Sequence, residues 1–296
     1  MNTLDIIKSA YIAATECPAP TSNEAGYLTA IDFIMCMTGI LLFGGWLLKT
    51  SLGRKALSDS APRRNNMPVY LPFVPFFIWF GVISLATTIK ENLLPNLPDW
   101  QKAFLDNLIL CIGEIMAIVV IILLARASFA RRLKGFGLNL RTINKDFPAA
   151  LLNLLSVWPL IAAAMILTIR IGELIWGPDF EIQPHEELKL IRAYSQPPVR
   201  MLIIVAAVAI VPVFEEMLFR GLFQTMLRSI FLNGWLSIVI SSVLFVLAHP
   251  NAGHWPGLFV LSMSMGYAYE KSGSLLRPIF IHSLFNATSI IGTLTS

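Results

Sequence analysis

Eight ionisable side chains fall within long apolar runs of this chain: Asp32, Asp106, Glu114, Glu215, Glu216, Arg220, His249 and His282. A charged or titratable group at membrane depth is costly, so each needs a partner, water or a function. Five of the eight lie between residues 215 and 282, and before them only Glu114 sits in mid-run. The chemistry of this protein is therefore expected in its C-terminal part.

Three patterns carry it. In Glu215-Glu216-Met217-Leu218-Phe219-Arg220, Glu216 and Arg220 are four residues apart. On a helix they share a face and can pair, which spares both from standing alone in a low dielectric. Glu215 lies about 100° around the same helix and cannot share that contact equally. It is the freer carboxylate, suited to accept a proton from water. In Phe245-Val246-Leu247-Ala248-His249, a histidine closes an apolar run and is either a cap or a second proton acceptor. In His282-Ser283-Leu284-Phe285-Asn286, His282 and Asn286 share a helix face as hydrogen-bond donors without net charge. Such a face suits a developing oxyanion, and equally suits bonding between helices.

The elements that must hold these groups follow from composition. Of 296 residues, 56% are hydrophobic and 14% charged, against roughly 25% charged in a soluble domain. Mean hydropathy is +0.69. Disorder, collagen and coiled coil are excluded, and a soluble fold would leave too much apolar surface in water. Apolar stretches run near 27–48, 69–89, 104–125, 148–169, 201–222, 235–249, 256–269 and 276–294. In hydrocarbon the backbone must satisfy its own hydrogen bonds, and most of these runs are too long for barrel strands, so they are read as helices. The expected fold is all-α, a polytopic membrane protein with about eight transmembrane helices.

The connections set orientation. Fourteen Lys and Arg residues fall on one side, mostly in 49–67 and 126–147, against seven on the other, with Arg220 inside a span. The side rich in Lys and Arg is expected to be cytoplasmic, which puts both termini outside. The net charge of +4 is explained by these connections, so no nucleic-acid partner is expected. The expected setting is a prokaryotic cytoplasmic membrane, with the lipid bilayer as a partner. Asp5 precedes Lys8, so no basic segment opens a removable signal peptide. Cys17, Cys36 and Cys111 are scattered, without the spacing of a disulfide framework or a thiolate zinc site.

Helical rise places Glu215 about midway along its helix and His249 at a similar depth. His282, five residues beyond Arg277, comes out roughly 10 Å shallower. Glu114 is expected to partner a neighbouring helix. His185 is expected in solvent and His254 in an outer turn. Trp46, Trp79, Trp158, Trp176 and Trp255 are expected as interface anchors.

Taken in order on apolar segments, Glu-Glu-x-x-x-Arg (Glu215, Glu216, Arg220), Phe-x-x-x-His (Phe245, His249) and His-x-x-x-Asn (His282, Asn286) resemble the CPBP family. That family comprises the type II CAAX prenyl endopeptidases and the bacteriocin-processing or Abi proteins. Gly221 and Leu222 extend the likeness, which covers roughly residues 200–290. The resemblance implies a CAAX-protease-like helical bundle in which residues 200–294 form the catalytic region and residues 1–199 supply further helices and loops. It implies an intramembrane endopeptidase acting on a membrane-associated peptide or protein, lipidated or not. Glu215 and His249 would activate water, His282 and Asn286 would stabilise the oxyanion, and Glu216 with Arg220 would organise the site. The family has been described both as metal-independent and as zinc-dependent. Metal-independent chemistry with no cofactor is favoured here, since no His-Glu-x-x-His helix is present. If zinc is bound, Glu215, His249 and His282 are the ligands. Two other functions compete: a non-catalytic immunity or scaffold protein on the same fold, and an ion-coupled transporter using the acids as a relay.

Overall fold

The computed structural model describes residues 22–295, with side chains from Phe33 onward. The N-terminal features at Asp5, Lys8 and Cys17, and the side chain of Asp32, lie outside the described residues. Among those residues the chain is helical, with one isolated bridge, Asn65 to Phe129, in place of any sheet. The helices are α1 (Ser22–Lys49), α2 (Phe73–Leu93), α3 (Asp99–Ser128), the short α4 (Arg132–Phe136) and α5 (Ile143–Trp176). They continue with α6 (Glu186–Ala193), α7 (Pro197–Phe231), α8 (Gly234–Leu247), α9 (Trp255–Ser272) and α10 (Leu276–Thr295).

All eight apolar stretches form helices, as backbone satisfaction in hydrocarbon requires. Four of the described helices, namely α2, α3, α5 with its preceding turn, and α7, are long and apolar enough to cross a membrane on length and composition alone. α8 is shorter, with 14 residues. α9 carries Glu270 and Lys271, and α10 carries His282 and Asn286, so their polarity comes from side chains described below. The protein is an integral membrane protein. Its outer surface presents Phe77, Phe80, Leu123, Ile166 and Leu167, all more than half exposed, to the lipid.

α7 is the most enclosed of the four long apolar helices and α2 the most exposed. α7 packs against α3, α8, α9 and α10, while α5 is flanked by α1, α9 and α10. The core joins Phe214, Leu218, Leu222, Phe245, Leu261 and Met265 on the C-terminal helices to Ile121, Phe136 and Leu154. Gly221 lets the Phe136 ring lie directly on α7, since a Cβ there would stand 2.2 Å from that ring.

The basic connections meet at one end of the bundle. Arg63 donates to Tyr269 O at 3.0 Å and Arg228 to Ser60 O at 3.2 Å. Arg228 also reaches Glu270 at 2.9 Å, with only 1% of that carboxylate side chain exposed. At the opposite end, Asn251 and His254 both bond Gln183 O, which gathers the 177–196 connection over the ends of α8 and α9.

The depth expected for His282 is corrected here. Asp146, an apparent loop acid, is buried and accepts from Ser274 Oγ at 2.6 Å and from Arg277 Nη2 at 3.1 Å. Leu275 N–H donates to Gly137 O at 2.9 Å. These bonds tie the start of α10 to α5 and to the end of α4, and His282 stands level with Glu216, its Nδ1 3.1 Å from Glu216 Oε1.

Candidate active site

α7 is irregular where the chemistry lies. Two π-helical stretches, Ala206–Ile210 and Met217–Gln224, flank the α-helical turn Val211–Glu216. Such insertions are rare and concentrate at functional sites. The first has a local cause. Val211 N–H bonds to Ala206 O, one residue further back than in an α-helix. Ala207 O would then look to residue 212, which is proline and has no N–H. The carbonyl left over accepts from Asn286 Nδ2 at 2.8 Å. A buried carbonyl without a partner is costly, so this bond fixes α10 against α7.

Glu216 and Arg220 pair as the spacing predicted, at 2.6 Å, with side chains 0% and 1% exposed. His282 Nδ1 donates to the same Glu216 Oε1 at 3.1 Å. Arg220 Nη2 donates to Ser262 Oγ at 2.7 Å, and its guanidinium lies 4.5 Å from the Phe245 ring centroid. Phe245 also touches the His249 and His282 rings. The phenylalanine of the second pattern is thus the apolar floor on which the arginine and both histidines rest. A buried pair of this kind is stable only while both partners remain.

Glu215 takes the other face. Its side chain is 19% exposed, and its Oε2 stands 3.9 Å from His282 Nε2 without a hydrogen-bond partner. With Nδ1 committed to Glu216, His282 turns Nε2 toward Glu215. His249 is held similarly: its Nδ1 bonds Phe245 O at 2.8 Å, and a carbonyl can only accept. That places the proton of the neutral ring on Nδ1 and leaves Nε2 with a lone pair. Trp255 Nε1 donates to His249 O at 2.9 Å.

Glu215, His249, His282 and Asn286 line one cavity of about 640 Å³. Glu216 and Arg220 stand behind its wall. The structure thus brings all six sequence-selected residues together, with the two glutamates facing different surroundings. Asn286 differs in part from expectation: one of its N–H groups serves Ala207 O, and the second remains for the cavity.

Several participants were not legible in the sequence. Ser262 anchors Arg220 from α9, and a lone serine in an apolar helix gives no signal of that. Trp255 holds the His249 carbonyl, while Trp79 stacks near Phe214 and Trp158 near Phe285. These three pack between elements, whereas Trp176 is 71% exposed. Glu114 also differs. It is buried at 7% exposure, lines the cavity, and its Oε2 has no hydrogen-bond partner. It does not pair with a neighbouring helix.

His185 is a further correction. It is half-buried at the cavity mouth, its ring stacked on His254 with centroids 3.9 Å apart. Burial, then the neighbouring His254 and His249, push its pKa down to about 4. A histidine whose docked pKa lies below its free value favours docking while neutral. Docking of the 183–188 segment is therefore expected to be fully present above about pH 6.5, the free value. It weakens as pH falls toward 4. A spin label at Glu181→Cys should become more mobile across that interval, and His185→Phe should abolish the dependence. Equal mobility at pH 7 and 4 in the otherwise native chain would refute it.

A zinc ion was the alternative cofactor. Among the described residues, no three His, Cys, Asp or Glu side chains converge as a ligand set. His282 Nδ1 is bonded to Glu216 and His249 Nδ1 to Phe245 O, which leaves the Nε2 atom of each ring open toward the cavity.

Residues 197–288 match the family model described as type II CAAX prenyl endopeptidase Rce1-like. A 24.3 kDa protein of Escherichia coli, described as uncharacterized, is 28% identical over 128 residues. The match covers 42% of this chain and 58% of the relative, so the chain spans little more than half the length of that protein. No solved structure matches the chain.

Proposed function

We propose that the chain, whose residues 197–288 match the type II CAAX prenyl endopeptidase Rce1-like model, is an intramembrane endopeptidase of the CPBP family that hydrolyses a membrane-associated peptide or protein. Residues 200–294 supply its chemistry and residues 1–199 frame it. One observation carries this reading: of two adjacent glutamates, one is consumed by a buried ion pair and the other is left facing a cavity with two histidines.

In this mechanism water enters the cavity and Glu215 accepts its proton, with the lone pair at His249 Nε2 holding the water in line. The hydroxide adds to the scissile carbonyl carbon, and the carbonyl oxygen takes up the negative charge. The second Nδ2–H of Asn286 meets that oxygen, as does His282 when its ring carries both protons. Collapse of the adduct breaks the C–N bond, and the proton held by Glu215 passes to the leaving amine. Arg220 acts through Glu216, which fixes the His282 ring. With the basic connections in the cytoplasm, the cavity mouth lies on the outer side of the membrane.

Membranes containing the wild type or Glu215→Ala, compared by mass spectrometry of new N-termini, test the activity. Peptides present only with the wild type are expected. The same preparation tests cofactor dependence. Full activity after exhaustive chelation, with metal content measured on that sample, is the expected result. Inactivity restored by zinc alone would overturn the carboxylate mechanism.

A further inference from the structure

The cavity contains one group that this mechanism leaves without a task. Glu114, in the middle of α3, is 7% exposed and lines the cavity, and its Oε2 lacks a hydrogen-bond partner. Asn107, Leu110 and Cys111 line the cavity from the same helix. Asn107 Nδ2 bonds Ala103 O one turn back, so it does not reach for Glu114.

Among the described residues no Lys or Arg lines this cavity, whereas four carboxylates do: Glu114 and Glu215 among the helices, Glu186 and Glu187 at the mouth. Of these, Glu186 has its own cation, Lys189, at 2.8 Å. The arginine closest in function, Arg220, is directed at Glu216 and Ser262. A cleft with one sign of charge and low-dielectric walls concentrates the opposite charge. A carboxylate buried without a partner also gains most from a cation brought to it, because burial has already removed its water.

We infer that Glu114 forms a subsite for a cationic side chain, so that the peptides entering this cavity carry Lys or Arg close to the bond presented to Glu215. The inference rests on the endopeptidase reading for the word substrate, but the cation site is a binding property and is testable without turnover. The apolar neighbours Leu110, Ile203 and Leu258 suit the methylene stem of such a side chain, with the charged head at Glu114. Lys differs from Arg in presenting a compact charge, whereas one carboxylate can take two parallel bonds from a guanidinium. The preferred residue is therefore Arg.

The experiment uses the full chain in nanodiscs of zwitterionic lipid, which removes competition from anionic headgroups. Fluorescent hexapeptides carry Arg at one position in turn, each matched to its citrulline counterpart, which keeps the shape and loses the charge. At least one Arg peptide is expected to bind tenfold or more tightly than its citrulline match. In Glu114→Gln that ratio should fall to within about twofold, and in Glu187→Gln, at the mouth, it should persist. Equal binding of every Arg and citrulline pair to the wild type overturns the inference, and does so without any variant having to fold. An Arg preference that survives Glu114→Gln overturns it too. Cleavage is followed on the same samples: selective binding with no cleavage refutes the endopeptidase reading and supports the cation site.

Discussion

Glu215→Gln is expected to abolish hydrolysis while leaving the thermal stability of the protein close to that of the wild type. The amide keeps the shape of the side chain but cannot take a proton from water. Loss of a general base removes roughly 10²–10⁴ in rate, and here the same group also returns the proton to the leaving amine, so the upper end is expected. Stability should be spared because Glu215 is partly exposed in the cavity, has no ion pair with Arg220, and leaves its Oε2 without a hydrogen bond. The measurements are kcat with a peptide identified from the membrane comparison, and thermal unfolding in the same detergent. A large fall in melting temperature with this variant would show that Glu215 is structural. Retained kcat would remove it from the mechanism.

Glu216→Gln, one residue along, should behave differently. Glu216 is fully buried and accepts from both Arg220 and His282 through one oxygen. Replacing it leaves the Arg220 guanidinium with Ser262 and the Phe245 ring as its neighbours, and no ion-pair partner. Removing one partner of a buried pair costs about 3–5 kcal/mol in soluble proteins, and the same order is expected in this interior. Activity should fall as well, since the His282 ring loses its anchor. The informative control is Glu216→Gln combined with Arg220→Met. Removing both charges should restore much of the stability and none of the activity, because no buried charge is then left without its partner. Equal destabilisation by Glu215→Gln and Glu216→Gln would contradict the division of labour between the two faces of α7.

That division depends on how α7 departs from a regular helix. Pro212 opens the ladder before the glutamates, and the π-helical turn after them holds Arg220. Asn286 then closes the gap at Ala207 O. A residue chosen for its capacity to donate to an oxyanion is thereby also a structural clamp. Asn286→Ala would accordingly affect both properties, which makes it a poorer probe of mechanism than either glutamate.

What the sequence alone determined was what is local. The eight apolar helices lie where the apolar runs lie, because a backbone in hydrocarbon has no other way to satisfy its hydrogen bonds. The Glu216–Arg220 pair spans one helical turn, and so does the bond from His249 Nδ1 to Phe245 O. Both follow from an i, i+4 spacing that the chain itself supplies. The likeness to the CPBP family rests on the same short patterns. Tertiary packing decided the rest. Ser262 reaches Arg220 across 42 residues of chain, and Asn286 reaches Ala207 across 79. Asp146 reaches Ser274 across 128 and holds the start of α10, and His282 reaches Glu216 across 66. Glu114 was a glutamate on an apolar helix until α7, α9 and α10 closed a cavity around it, and His185 was a loop residue until the 177–196 connection folded over His254. Periodicity describes one helix at a time. Which face of a helix meets which neighbour, and which buried group is left without a partner, depends on crossing angles and on breaks in the backbone ladder that no periodicity encodes.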